Sequence, residues 1–173
     1  AGMLREARSE LLKLEKSIAK TKQTAEHRLI LFEVYEKLFQ YYYFNRDLRR
    51  TNLYFKKAGK LGSKLLSSGS EKINRAEISA RFKLLESYKL TMNRFKFRNL
   101  EKALKGLTQI FAPGKQRVPG YLQLRIYHRC GLLFNILRDK ENSIKKKKKG
   151  KALASKLNSE AELILSESFL MIR

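Results

Sequence analysis

Lysine and arginine are the residues of this sequence whose number and spacing point to a chemical role. The 173 residues include 39 Lys and Arg against 16 Asp and Glu, which gives a formal net charge of +23. Solubility alone asks for a net charge of roughly 2 to 8 in a small domain, and self-repulsion at higher charge destabilises the folded state. The excess therefore indicates an anionic partner, which could be nucleic acid, an acidic protein or an anionic membrane surface.

The first basic cluster covers residues 46–64, where Asp47 is the only acid. Arg49, Lys56, Lys60 and Lys64 recur at spacings of seven and four, which places them on one flank of a helix where they could follow a row of phosphates. The alternative is an ordinary solvated helix face, although such a face would usually carry compensating acids. The candidate nucleic-acid contacts in this window are Arg46, Arg49, Arg50, Lys56, Lys57, Lys60 and Lys64.

Two further clusters lie nearer the C-terminus. In residues 93–99 the cations Arg94, Lys96 and Arg98 alternate with two phenylalanines, whose rings could stack on unpaired bases or could simply pack inside the fold. We expect this segment and the four regularly spaced cations above to border one positive surface. The third cluster is a run of five lysines that wraps more than one helical turn, so we interpret it as a projecting or frayed helix end that could grip phosphates without reading sequence or serve as a nuclear-localisation signal. Its members are Lys145, Lys146, Lys147, Lys148 and Lys149.

Catalytic patterns are missing from the sequence. None of the three Gly-Lys pairs is followed by the Ser or Thr of a Walker-type phosphate loop,. His27, His128 and the single cysteine, Cys130, supply too few ligands for a zinc site,. A thiolate pair of His128 with Cys130 is conceivable, but residues two apart on a helix point in different directions, so we predict that Cys130 is a buried small apolar residue. The sequence predicts a protein without catalytic residues, metal or cofactor.

The cellular setting follows from three observations. A lone cysteine cannot form an internal disulfide, which favours a reducing compartment,. Residues 4–22 are charged every few positions and do not resemble a signal peptide,. The apolar runs at 29–32 and 131–134 are far shorter than the roughly 20 residues of a membrane span,. We therefore expect an intracellular protein, cytoplasmic or nuclear.

The sequence predicts that the elements which position these cations are helices. Gly and Pro are few, and both prolines lie between residues 112 and 120,. Apolar periodicity predicts helices over 3–22, 25–44, 48–66, 100–111, 121–137 and 143–157, with Asn74 and Glu77 marking another helix start,. Leu48, Phe55, Leu61 and Leu65 are buried candidates. We predict an all-α domain over 3–173: an N-terminal helix in 3–24, helix pairs in 25–66, 74–112 and 121–157, and a capping helix in 160–173.

Two windows carry a similar set of small and aromatic residues. The first is Tyr35, Leu38, Phe39, Tyr42, Thr51, Phe55 and Ala58, and the second is Tyr127, Cys130, Gly131, Phe134, Ser143 and Gly150. This spacing resembles the tetratricopeptide repeat over residues 29–157, with Phe39 in place of the family's Gly and Lys147 in place of its Phe. The resemblance implies antiparallel helix pairs stacked as an α-solenoid, the alternative being a helical bundle. It also implies that Tyr35, Tyr42 and Phe55 share one buried contact, and Tyr127 and Phe134 an equivalent one.

Two functions from different classes follow. The leading hypothesis is a non-catalytic module that binds nucleic acid through phosphate contacts and could be a component of a ribonucleoprotein. RNA is favoured because no DNA-reading motif is present. The alternative is an adaptor whose groove takes an acidic peptide or protein segment, which the tetratricopeptide resemblance implies. Attachment to an anionic membrane surface ranks last, because no helix pairs a clean basic face with a broad apolar one.

Overall fold

The described chain is all-helical, as the sequence predicts. The computed structural model describes residues 2–21, 24–68, 73–92, 96–111 and 118–156, and these ranges contain no strand. The predicted capping helix at 160–173 lies outside them. A short 3₁₀ turn, Gln109–Phe111, extends the fifth of the seven helices in these ranges. The seven are α1 (Gly2–Ala19), α2 (Ala25–Phe44), α3 (Leu48–Ser67), α4 (Arg75–Leu90), α5 (Phe97–Thr108), α6 (Gly120–Ile136) and α7 (Lys140–Lys156).

Helix starts are fixed by polar side chains that accept the first free N–H groups. The Asn74 side chain accepts a hydrogen bond from the Glu77 N–H at 3.1 Å, as its sequence signature predicts. Asp47 accepts from the Arg50 N–H at 2.9 Å and so begins α3. The Asp139 carboxylate accepts from the Asn142 N–H at 3.1 Å, and for this reason α7 begins before the predicted Ser143.

The helices form two layers. α2, α4 and α6 run parallel, because their contacts follow the same order along the three helices. Glu36 of α2 pairs with Arg81 and Arg125, and nearer the C-terminal ends Tyr43 contacts Tyr88 and Arg129 contacts Ser87. α3, α5 and α7 each return antiparallel to the helix before them, and α1 packs on α2. This arrangement is compatible with stacked helix pairs of a repeat.

Apolar packing is concentrated in the first six helices. One buried cluster joins α1 to α4 around Phe32, Phe39 and Leu65, and a second joins α4, α5 and α6 around Leu107 and Leu122. Each fully buried side chain of this kind stabilises the fold by roughly 1.5 to 3 kcal/mol. Among the side chains that the structure describes, neither cluster includes a residue of α7.

Tyr35, Tyr42 and Phe55 pack on one buried cluster, as predicted, but their rings have different direct partners. Tyr35 and Tyr42 share Tyr54, at ring-centroid distances of 5.9 and 5.5 Å, because Tyr54 faces α2 at this height. Phe55, one helical position further on, turns about 100° away and packs against Phe39 and Phe82,.

Two other sequence expectations fail. Tyr127 stacks on Phe111 at 4.7 Å, while Phe134 packs into the second apolar cluster, so these two rings do not form the predicted pair. Leu48 is 45% exposed, since the buried face of α3 begins at Thr51.

The turns after α2 and α6 share one backbone design, 92 residues apart. The N–H groups of Arg46 and Asp47 donate to the carbonyls of Tyr43 and Tyr42, and the N–H groups of the residues 92 further on, Arg138 and Asp139, donate in the same pattern. This is the Schellman ending of a helix, whose left-handed position usually holds glycine. Here arginine occupies it, with φ of 57° at Arg46 and 61° at Arg138, at a cost of about 1 to 2 kcal/mol each.

Candidate nucleic-acid interface

A row of cations follows the outer flank of α3. Arg49, Lys56, Lys60 and Lys64 are all exposed, and we call this row the α3 stripe. The opposite flank buries Thr51, Ala58, Leu61 and Leu65, which fixes the rotation of the helix and turns the stripe toward solvent. α3 contains no acidic residue. The spacing seen in the sequence therefore corresponds to one continuous line of side chains on the surface.

The stripe extends onto α4 through a lysine that the sequence did not single out. Lys89 donates a hydrogen bond to the Asn52 side chain, which lies in the same shallow 850 Å³ depression as Arg49 and Lys56. Burial, and then the positive charge of Lys56, lower the pKa of Lys89. An anion placed between two like charges this close together is attracted by both and relieves their repulsion.

Two of the predicted contacts at α3 have partners inside the fold. Lys57 donates to the Glu15 carboxylate of α1 and lies 4.9 Å from the Tyr54 ring centroid, so it ties α1 to α3. Arg50 is within 3.6 Å of the Asp47 carboxylate and stands over the Tyr42 ring at 5.3 Å. Arg46, by contrast, is exposed in the left-handed turn after α2.

The segment that alternates cations with aromatics is described from residue 96 onward. Arg94 lies outside the described residues. Lys96 and Arg98 are exposed, and Phe97 between them is 64% exposed. The buried face of α5 consists of Leu100, Ala103 and Leu107, so Phe97 does not belong to it. Of the two interpretations of this ring, internal packing does not apply.

The prediction that the lysine run is a projecting or frayed helix end is wrong. It lies in the interior of α7, a helix that packs along α6. Each residue advances the helix by about 100°, so the run points in several directions. Lys145, Lys148 and Lys149 are exposed, Lys146 is half-buried with its Nζ 5.8 Å from the Tyr127 ring, and Lys147 is 7% exposed.

Lys147 can be buried because the residue of α6 that faces it, Gly131, has no side chain. A Cβ placed on Gly131 would lie 3.2 Å from the Lys147 Cγ, so the aliphatic stem of the lysine fills the space that a side chain at 131 would take. Such burial of a lysine stem is common where the amine can still reach the surface. Three of the five lysines are thus fully available to a partner.

The charge of the two layers differs strongly. α3, α5 and α7 carry six, three and eight Lys and Arg residues, against none, one and one acids. α2, α4 and α6 carry two, four and two, against three, two and none. The returning helices therefore hold most of the unbalanced charge of the described chain.

Acids of the other layer lie in an ion-pair network at a groove between α2, α4 and α6, whose volume is 660 Å³. Glu36 is 1% exposed, and its two carboxylate oxygens accept from Arg81 at 3.1 Å and Arg125 at 2.9 Å. Arg81 also pairs with Glu33 and Glu77. Burial alone would lower the pKa of Arg81, but the charge of Glu36, the Tyr121 hydroxyl and then Glu33 outweigh it, so the pKa is raised. This network joins three helices.

A buried arginine at the groove has no acid partner among the described residues. Arg129 is 5% exposed, donates to the Ser87 carbonyl at 3.1 Å and to the Thr91 hydroxyl, and stacks 4.1 Å from the Tyr88 ring. Burial lowers the pKa of Arg129. Its charge lies at the C-terminal end of α4, where the helix dipole favours a cation.

Cys130 is fully buried, as predicted. Burial raises the pKa of its thiol to about 11, which is opposite to the lowered pKa of a nucleophilic thiolate,. Within the described ranges, no three His, Cys, Asp or Glu side chains converge in a way that could hold a metal ion. None of the helices in this part of the chain is long and apolar enough to cross a bilayer.

Comparison with protein-family models, curated proteins and solved structures gives no match for this chain. The resemblance to tetratricopeptide repeats therefore rests on the sequence spacing and on the packing of neighbouring helices.

Proposed function

We propose that this protein is a non-catalytic module that binds nucleic acid, with RNA favoured, through the cations of α3, α5 and α7. The observation that carries the proposal is the uneven charge of the two layers. On the returning helices, acids are too few to neutralise the cations, so a phosphate chain laid across this layer would meet a nearly uninterrupted positive field,. The members available to it include the α3 stripe, Lys96, Arg98, Lys102, Lys105, Lys145, Lys148 and Lys149.

Contacts of this kind favour affinity over sequence discrimination. Lysine supplies a mobile point charge, and phosphates are the same in every sequence. RNA remains favoured over DNA because the described helices include no arrangement that we recognise as a reader of a DNA groove, whereas a curved helical surface can fit folded RNA by shape. The preference for RNA is part of the proposal.

The alternative, an adaptor for an acidic peptide, would use the groove between α2, α4 and α6. Glu33 and Glu36 line that groove, and Arg81 and Arg125 already pair with them. An acidic peptide there would meet carboxylates as well as cations. This favours the outer layer as the binding surface.

The test is an anisotropy titration of RNA, duplex DNA and single-stranded DNA over a series of salt concentrations. The variant K56Q/K60Q/K64Q removes three charges from the α3 stripe. K16Q/K20Q/K37Q removes three exposed charges from α1, the turn after it and α2, and is the matched control because both variants have the same net charge. We expect the stripe variant to flatten the salt slope by about 2 to 3 units, and the control to change it by less than about one.

Two results would count against the proposal. Equal binding by the stripe variant and the control would show that net charge matters and the stripe does not. A parent protein that binds none of the three nucleic acids at low salt would leave the acidic-peptide adaptor as the better hypothesis.

A further inference from the structure

One edge of the protein holds the C-terminal ends of the inner helices and the starts of the returning helices. Because α2, α4 and α6 are parallel, their C-terminal ends lie at the same edge, and α3, α5 and α7 begin there. We call this the turn edge and define its described part as residues 44–49, 96–98 and 137–139.

Two arginines of the turn edge occupy strained backbone positions without an evident internal role. Arg46 and Arg138 are the only non-glycine residues of the described chain with positive φ. Both side chains are exposed, and neither has an ion pair or a side-chain hydrogen bond with another described residue. Glycine or asparagine would adopt the same backbone more easily. Backbone strain of this kind is typically kept where the side chain serves a function.

The same edge exposes the two least covered large apolar side chains of the described residues. Phe44 is 71% exposed and stands two residues before Arg46, and Phe97 is 64% exposed between Lys96 and Arg98. Phe44 touches Tyr43 and Tyr88 at ring-centroid distances of 5.4 and 6.5 Å, which leaves much of its surface to solvent. Aromatic rings surrounded by cations form the usual platform for unpaired bases.

We propose that the turn edge binds unpaired nucleotides of RNA, with Phe44 and Phe97 stacking on bases and Arg46 and Arg138 contacting phosphates. This rests on the proposed function and names the form of RNA that it takes. A duplex hides the faces of its bases inside the stack, so exposed rings at this edge can serve only single-stranded segments or loops. The α3 stripe would contact either form.

The first test compares the parent with F44L/F97L, in which both side chains stay apolar but lose their ring faces. The probes are an unstructured 20-nucleotide RNA and a 20-base-pair RNA duplex at one salt concentration. We expect affinity for the single strand to fall about tenfold and affinity for the duplex to change less than about twofold. An equal loss on both probes, or no loss on the single strand, would overturn the proposal.

The second test uses R46N/R138N, since asparagine accepts the left-handed conformation without the charge. We expect weaker binding of the single strand together with a melting temperature that is unchanged or higher. If the arginines instead hold the turns together, the melting temperature will fall, and the assignment to phosphates is wrong. Unchanged binding would refute it as well.

These results separate the two proposals. If K56Q/K60Q/K64Q loses affinity while both turn-edge variants bind the single strand as the parent does, the nucleic-acid function stands and the turn edge is not its site. If the parent binds neither probe, both proposals fail.

Discussion

Replacing Glu36 by glutamine tests whether the buried ion-pair network holds the inner layer together. The substitution keeps the shape of the side chain and removes its charge. The new amide has one oxygen and one NH₂ group, whereas the carboxylate accepts from Arg81 through one oxygen and from Arg125 and Gln40 through the other. Whichever way the amide turns, its NH₂ group faces a guanidinium donor, so at least one charged hydrogen bond is lost.

The magnitude follows from what each arginine retains. Breaking a buried ion pair by removing one partner usually costs about 3 to 5 kcal/mol. Arg81 keeps Glu33 and Glu77, while the only ion pair of Arg125 among the described residues is with Glu36. Arg125 can also reach water, because its side chain is 26% exposed. We therefore expect a loss near the lower limit, about 3 kcal/mol, which corresponds to a melting temperature lower by roughly 6 to 12 °C.

Urea unfolding followed by circular dichroism measures the loss, and Glu10→Gln is the control. Glu10 pairs with Lys13 on the surface, where the two side chains are 69% and 71% exposed, so its removal should change stability by less than about 0.5 kcal/mol,. The double variant E36Q/R125Q should lose less than the sum of the single losses. If E36Q unfolds at the same urea concentration as E10Q, the network does not stabilise the layer.

Two further predictions concern glycine and α7. Gly106→Ala should stabilise the fold by about 0.5 to 1 kcal/mol, because nothing lies within 4 Å of the added Cβ,. Gly150→Ala should destabilise the fold by up to about 2 kcal/mol, because its Cβ would lie 3.0 Å from the His128 ring and the crowding cost of about 1 to 3 kcal/mol exceeds the same helical gain,. Thermal unfolding compares the two variants, and a G150A variant as stable as G106A would contradict this account of α6–α7 packing. Backbone amides of α7 should exchange with solvent faster than those of α3, since none of the described side chains of α7 belongs to the apolar clusters,. Slower exchange in α7 would refute that reasoning.

Sequence reasoning works best for features decided by neighbouring residues. The ends of α2 fall where the periodicity places them, and Asn74 caps α4 through the contact that its type and position predict. The failures involve partners from other helices. Leu48 belongs to the apolar periodicity of its own helix, but its side chain stays 45% exposed.

The ion-pair network shows the same limit at the candidate site. Glu36, Arg81 and Arg125 come from three helices, and nothing in the sequence relates residues that are 45 and 89 positions apart. Periodicity correctly predicts that the α3 stripe lies on one flank, because spacing alone decides it. It could not predict that Lys57, and not Lys56, forms an ion pair with Glu15, since this depends on where α1 packs.

The lysine run is explained by comparing two positions that share a backbone frame. The 92-residue offset relates Phe39 and Phe55 of the α2–α3 pair to Gly131 and Lys147 of the α6–α7 pair. In the first pair two rings pack at 6.2 Å, and in the second a lysine stem lies against glycine. Exchanging a ring pair for lysine and glycine gives up apolar burial in return for charge on the outer layer. The stem of Lys147 still packs against Gly131, whereas Lys145, Lys148 and Lys149 around it are exposed, which is the arrangement that the proposed anionic partner would require.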